Sequence, residues 1–223
     1  MKKLAIANWK LNKNESEIKD WFEEFSKLYK PVERVRVVVC PSHVYLGLVK
    51  NLIDKYSLGY VSCGAQDASV YLSGSHTGDV SVSQVKEFSQ FCIVGHSERG
   101  EDRSSVNIKV NNCLKDGLVP ILCVREVSMF KNVYEDKVIL TWEDPSNISS
   151  SEGYKEKPQS EIEEGINQIR QKVGSIRPLI YGGSVNEENS QRLARIDGVS
   201  GFLVGHASLE PKTFVRVVES LSL

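Results

Sequence analysis

The chain has almost no net charge: 28 Lys and Arg stand against 29 Asp and Glu, leaving −1 at pH 7 with histidine neutral. That balance provides no electrostatic footprint for nucleic acid or for an anionic membrane surface, so neither is expected as a partner. Long apolar runs are missing too, and none approaches the ~18 residues that cross a bilayer. Met1-Lys2-Lys3 passes straight into a strand-like run without the apolar core and small-residue cleavage site of a secretory signal, which points to a cytoplasmic protein. Cysteine is sparse and irregular. Cys40, Cys63, Cys92, Cys113 and Cys123 are odd in number, unpaired in spacing and mostly set inside apolar runs, as reduced, buried thiols are. No spacing of His, Cys or carboxylates implies a metal, and no G-x-G-x-x-G follows the first strand, so no metal or organic cofactor is expected.

What the chain does contain is an ordinary globular composition, 40% apolar and 26% charged over 223 residues, enough to bury a large core without staples. Its most informative stretch is Phe91-Cys92-Ile93-Val94-Gly95-His96-Ser97-Glu98-Arg99. A short continuous apolar run reads as a strand buried on both faces in a parallel sheet, and here it ends abruptly in a polar cluster. Carboxyl ends of such strands are where α/β folds gather ligands and catalytic groups, which makes His96 and Glu98 candidates for chemistry.

Seven further runs resemble this strand: 3–9, 34–40, 59–66, 119–124, 138–142, 178–181 and 199–204. Between them lie helical patterns. Ile18, Trp21, Phe22, Phe25 and Leu28 share one face, as do Leu46, Val49 and Ile53, and a short helix is expected near 82–88. Val106, Val110, Cys113 and Leu114 predict a helix stopped by Gly117. Ser160-x-x-Glu163 has the form of a capping box opening a helix with Ile162, Ile166, Ile169 and Val173 inward. A polar helix is expected over 187–195, and Pro211 starts the last one. Only about a dozen residues join the fifth strand to the sixth. Strict alternation means parallel strands with right-handed crossovers. Eight such units in a chain of ~220 to 250 residues suit a closed (β/α)8 barrel better than a doubly wound sheet. One domain, residues 1–223, is expected, with the fifth helical connection shortened and the outer ring thin beside strands five and six.

The polar strand exits resemble the signature segments of triosephosphate isomerases, in that family's order. They are Asn8-Trp9-Lys10, Cys63-Gly64-Ala65-Gln66-Asp67 with Thr77-Gly78, Gly95-His96-Ser97-Glu98-Arg99, Tyr181-Gly182-Gly183-Ser184-Val185 and Gly201-Phe202-Leu203-Val204-Gly205. The likeness covers essentially the whole chain and implies a single (β/α)8 TIM barrel. It also implies interconversion of dihydroxyacetone phosphate and D-glyceraldehyde 3-phosphate, a step of glycolysis and gluconeogenesis, through an enediolate. By this resemblance Glu143 is the carboxylate base and His96 the neutral imidazole that donates to the carbonyl. Lys10 and Asn8 supply charge and an amide beside the developing oxyanion. Glu98 corresponds to the family's second acid and reads as an ion-pair partner for a lysine. The phosphate falls to Ser184, Gly205, His206 and Ser149, and a homodimer forms through the loop Gln66 to Asp79, including Thr77.

Two segments depart from the family pattern. After the base the chain runs Asp144-Pro145-Ser146-Asn147-Ile148-Ser149-Ser150, where the family has a proline, an apolar hinge and Gly-Thr-Gly. Ile148 keeps an apolar tooth over Glu143, with Leu203 as its partner, but the hinges of this lid are rewritten. His206 stands where the family has glycine. A positive φ there would strain a histidine by roughly 1 kcal/mol or more, whereas a site needing only the amide gains the ring as a donor.

Taken singly, each of these residues has a bland explanation. Lys and Glu near strand ends are ordinarily solvated, His43 and His76 read as structural with no partner nearby, and Cys123 reads as packing. The coincidence of five exits in one order carries the functional reading. Competing readings are another phosphosugar isomerase on the same fold, an aldolase, and a non-catalytic phosphometabolite-binding barrel. No lysine stands at the ends of strands five to eight to form a Schiff base, which argues against the aldolase.

Overall fold

The structure is a computed structural model, and it describes residues 2–129, 136–143, 157–174 and 177–222. Eight strands alternate with helices. They are β1 (Lys3–Asn8), β2 (Val35–Cys40), β3 (Val61–Ala65), β4 (Phe91–Val94), β5 (Val119–Val124), β6 (Ile139–Trp142), β7 (Leu179–Tyr181) and β8 (Gly201–Val204). Every neighbouring pair is parallel, and β1 pairs with β8 as well as β2, so the sheet closes into a barrel in chain order. Around it lie α1 (Glu15–Leu28), α2 (Leu46–Lys55), α3 (Val82–Lys86), α4 (Arg103–Asp116), α5 (Gln159–Val173), α6 (Ser190–Leu193) and α7 (Pro211–Ser220).

The pleat of the strands splits the apolar residues into two cores. Leu4, Ile6, Val38, Phe91, Ile93, Ile121, Ile139, Ile180 and Leu203 fill the lumen. Their alternates, such as Ala5, Val37, Val94, Leu122, Leu140 and Phe202, pack outward under the helices. All five cysteines are free and buried. Burial pushes the Cys63 thiol up to about 11 and keeps Cys40 well above the usual thiol range, so neither is a ready nucleophile.

Several helix ends follow their sequence signals. Asn14 and Glu17 form a reciprocal cap on α1, Gly117 ends α4 in the left-handed region at φ 79°, and Pro211 occupies the first turn of α7. Two do not. The Ser160/Glu163 box is not formed: Pro158, held extended, caps α5 two residues before Ser160, which places Ser160 inside the first turn. Glu163 instead accepts from Gln159 Nε2 at 2.6 Å. The expected helix over 187–195 shrinks to Ser190–Leu193, because Asn186 Oδ1 takes the amides of Glu188 and Asn189, both at 2.9 Å, and forms a turn there. His43 and His76 also have partners after all: His43 Nε2 lies 2.7 Å from the Asp67 carbonyl, and His76 stacks on Tyr71 with ring centroids 3.5 Å apart.

Between β5 and β6 the described residues contain only a 3-10 turn, Val127–Met129, in line with a shortened connection. The outer face is nevertheless not thin: Leu122, Val124, Leu140 and Trp142 are all buried. The Trp142 indole reaches α5 at Gly165, where an added Cβ would lie 2.1 Å from the ring. Glycine within a helix costs about 1 kcal/mol against alanine. Here it opens the space that lets a large side chain cover β6. Gly165→Ala should therefore destabilise the fold by about 1–3 kcal/mol despite the better helix propensity. An unchanged or raised midpoint in a thermal melt would refute this packing role.

Candidate active site

The site is assembled at the carboxyl rim of the barrel. Asn8 ends β1, Lys10 lies two residues beyond it, His96 two residues beyond β4, and Glu143 directly after β6. His96 and Glu143 are buried, at 7% and 2% exposure, so this acid–base pair meets in a nearly dry setting. His96 Nε2 lies 3.0 Å from Glu143 Oε1, and the Ser97 amide donates to Glu143 Oε2 at 3.1 Å. On the far side of the ring, His96 Nδ1 accepts the Glu98 amide at 3.2 Å. A nitrogen that accepts carries no hydrogen, so the imidazole is the neutral tautomer with its proton on Nε2, aimed into the mouth.

Glu143 has room because position 182 is glycine. A Cβ there would lie 3.0 Å from both Glu143 Cγ and Thr141 Cγ2. Cys123 sits beneath the same carboxylate, and burial followed by the Glu143 charge raises its thiol well above the usual range, which keeps it uncharged.

Lys10 enters with a left-handed backbone, φ 52°, a conformation that costs an L-residue roughly 1–2 kcal/mol. Neighbours hold it there. Its carbonyl accepts from Gln66 Nε2 at 2.9 Å and from the Ser42 hydroxyl at 3.3 Å, while its amide donates to Asn8 Oδ1 at 3.2 Å. Gln66 also donates to the Cys40 carbonyl at 2.9 Å, tying the exits of β1 and β2. The ammonium pairs with Glu98 Oε1 at 2.6 Å, which makes Glu98 the lysine partner expected of it. Glu98 Oε2 stands 3.7 Å from His96 Nδ1.

Of the phosphate candidates, Gly205 faces Lys10: an added Cβ would be 3.5 Å from Lys10 Cε. Ser184 is buried after β7, its carbonyl accepting from Asn189 Nδ2 at 2.8 Å. His206 is exposed and opens a 3-10 turn, His206–Ser208, without a positive φ, so the backbone strain considered for it does not arise. The Ser208 carbonyl accepts both indole N–H groups, Trp9 at 3.2 Å and Trp21 at 3.1 Å, which fixes this turn to β1 and α1. The lid residues Asp144, Pro145, Ile148, Ser149 and Ser150 lie outside the described residues.

Gln66, Ser42 and Gly182 were not recognised as site residues in the sequence. Gln66 lies within a matched segment, and that position was the available signal; Ser42 offers none.

A buried histidine donor facing a buried carboxylate on a (β/α)8 rim, with a lysine beside them, defines a barrel enzyme of the proton-transfer class. A family model described as triosephosphate isomerase matches residues 3–141 and 129–221. The chain is 30% identical to the triosephosphate isomerase of Aquifex aeolicus, over 99% of this chain and 100% of that protein. It is 30% identical to that of Polynucleobacter asymbioticus, over 97% and 98%, and 29% identical to that of Thermus thermophilus, over 96% and 97%. The chain belongs to the triosephosphate isomerase family.

If Gln66 holds the Lys10 backbone, Gln66→Met should cost about 1–3 kcal/mol of stability through two carbonyls losing a donor. It should also lower kcat/KM for a triose phosphate about tenfold by misplacing the ammonium. A folded variant with full kcat/KM would show that Lys10 holds its own geometry.

Proposed function

We propose that the protein interconverts dihydroxyacetone phosphate and D-glyceraldehyde 3-phosphate, with Glu143 as base and His96 as electrophile. The observation that carries this assignment is the 3.0 Å contact between His96 Nε2 and Glu143 Oε1 inside a buried rim. The carboxylate takes a proton from C1 of dihydroxyacetone phosphate. The electron pair of that C–H bond becomes the C1–C2 double bond as charge collects on the C2 oxygen. A proton then passes from the C1 hydroxyl to the C2 oxygen, and return of a proton from Glu143 to C2 as the C1–oxygen double bond forms completes the aldose. His96 Nε2–H and Lys10 stabilise the oxygen that gains charge. In the free site the same Nε2–H is occupied by Glu143, so carbonyl and carboxylate compete for one hydrogen, and substrate entry releases the base toward carbon.

Lys10 and the backbone at Gly205, with Ser184 and His206, form the phosphate end, Asn8 contributes its amide on the Lys10 side, and Asp144 to Ser150, including Ser149, form the lid. The chemistry is proton transfer beside a carbonyl and calls for no cofactor. Glycolytic and gluconeogenic use in the cytoplasm follows from this reading. No helix among the described residues is long and apolar enough to cross a membrane. Fractionation that left the activity in a membrane pellet would contradict it.

A homodimer through the loop Gln66 to Asp79 is part of the same proposal. Supporting it, Leu11 and Val44 are 95% and 82% exposed, and Tyr71 and Leu72 on the loop itself are exposed as well, an apolar set that a second copy would cover. Sedimentation equilibrium should give twice the 25.0 kDa of one chain. A single-chain mass together with concentration-independent activity would refute the dimer.

The direct test is turnover of glyceraldehyde 3-phosphate with methylglyoxal followed in the same samples. Glu143→Gln should lower kcat by about 10²–10⁴ and His96→Gln by about 10², both with phosphate-ester binding retained. Wild-type protein that binds the ester but turns over no faster than Glu143→Gln would be a phosphometabolite-binding barrel instead.

A further inference from the structure

Arg125 follows β5 directly and is partly buried, and its Nη2 donates to the carbonyl of Ser97. Among the described residues it forms no ion pair, so a guanidinium charge is spent on one peptide oxygen. That peptide unit, Ser97–Glu98, is the one whose N–H donates to His96 Nδ1 at 3.2 Å. A cation on the oxygen of an amide withdraws density from its nitrogen and strengthens its N–H as a donor. Arg125 and the imidazole therefore occupy the two ends of one polarised group.

The effect has something to oppose. Glu98 Oε2, 3.7 Å from Nδ1, favours a hydrogen on that nitrogen, which would leave Nε2 without one and silence the donor that faces the mouth. Lys10, 2.6 Å from the other Glu98 oxygen, draws that carboxylate away. Glu143, on Nε2, favours the productive tautomer from the other side, and the raised thiol of Cys123 leaves an uncharged neighbour under it. The charged groups around His96 are thus Glu98, Lys10, Glu143 and Arg125, and the last acts only through the peptide.

We infer that Arg125 is a positioning residue for the isomerisation: through the Ser97–Glu98 peptide it holds His96 in the tautomer with hydrogen on Nε2. The inference rests on the reading of His96 as the electrophile, and its test has a readout that needs no substrate.

The experiment is 15N spectroscopy of histidine-labelled protein, with His96 assigned by the resonances lost in His96→Gln, beside steady-state kinetics of Arg125→Gln, Arg125→Lys and Arg125→Met. The wild type should show a bare Nδ1 and a protonated Nε2. In Arg125→Gln, which keeps a donor and loses the charge, both resonances should move toward a tautomer mixture, with kcat about fivefold lower and KM within about twofold. Arg125→Lys should lie nearer the wild type. Should Arg125→Met not fold, the Gln and Lys pair still separates charge from hydrogen bond. Identical His96 resonances and kcat in Arg125→Gln and the wild type would overturn the inference. Full activity in His96→Gln would instead remove the electrophile reading while leaving the tautomer result standing.

Discussion

Everything at the rim depends on the barrel closing, and closure depends on backbone lying against backbone where β8 meets β1. At Gly201 an added Cβ would fall 2.0 Å from the Leu4 carbonyl oxygen, and φ there is 150°, so only glycine admits the contact. Once Leu4 and Gly201 pair, the ladder carries Ala7 beside Val204. The chain leaving β1 then lies next to the chain leaving β8. Gly205 comes to face Lys10 for that reason, and the two indoles can share the Ser208 carbonyl. The charge and the backbone proposed to grip the phosphate are neighbours through sheet geometry.

The mouth is a balance among few groups. Two N–H donors, from His96 and Ser97, hold the Glu143 carboxylate, and the first of them is the hydrogen proposed for the substrate carbonyl. Burial makes each of these bonds stronger than it would be in water and makes any unmatched one costly. The strained Lys10 backbone persists because Gln66 and Ser42 both hold its carbonyl, as a locally unfavourable residue requires from its surroundings.

On the outer face, the short passage from β5 to β6 is compensated by volume. Trp142 spreads over the barrel where Gly165 gives way, and the outward residues of both strands stay buried. Length alone predicted a thin ring, because counting residues in a connection says nothing about how far a large side chain can reach. The capping box at Ser160 failed similarly: the local motif was present, but Pro158 had already set the helix start two residues earlier.

The strands, their order and their polar exits were legible in the sequence because they depend on local pattern. Val94 into Gly95-His96 and Leu140-Thr141-Trp142 into Glu143 switch from apolar to polar within two or three positions wherever the rest of the chain folds. That Glu98 pairs with a lysine was legible through resemblance, and the structure makes that lysine Lys10. What only tertiary structure decided is how separate exits meet: which histidine nitrogen keeps its proton, which side chain holds the Lys10 carbonyl, and that Arg125 turns inward to Ser97 although it reads as an ordinary charge after a strand. The Arg125 and Gln66 contacts join residues 28 and 56 positions apart across different strands. No local period encodes them, because they exist only after the barrel has closed.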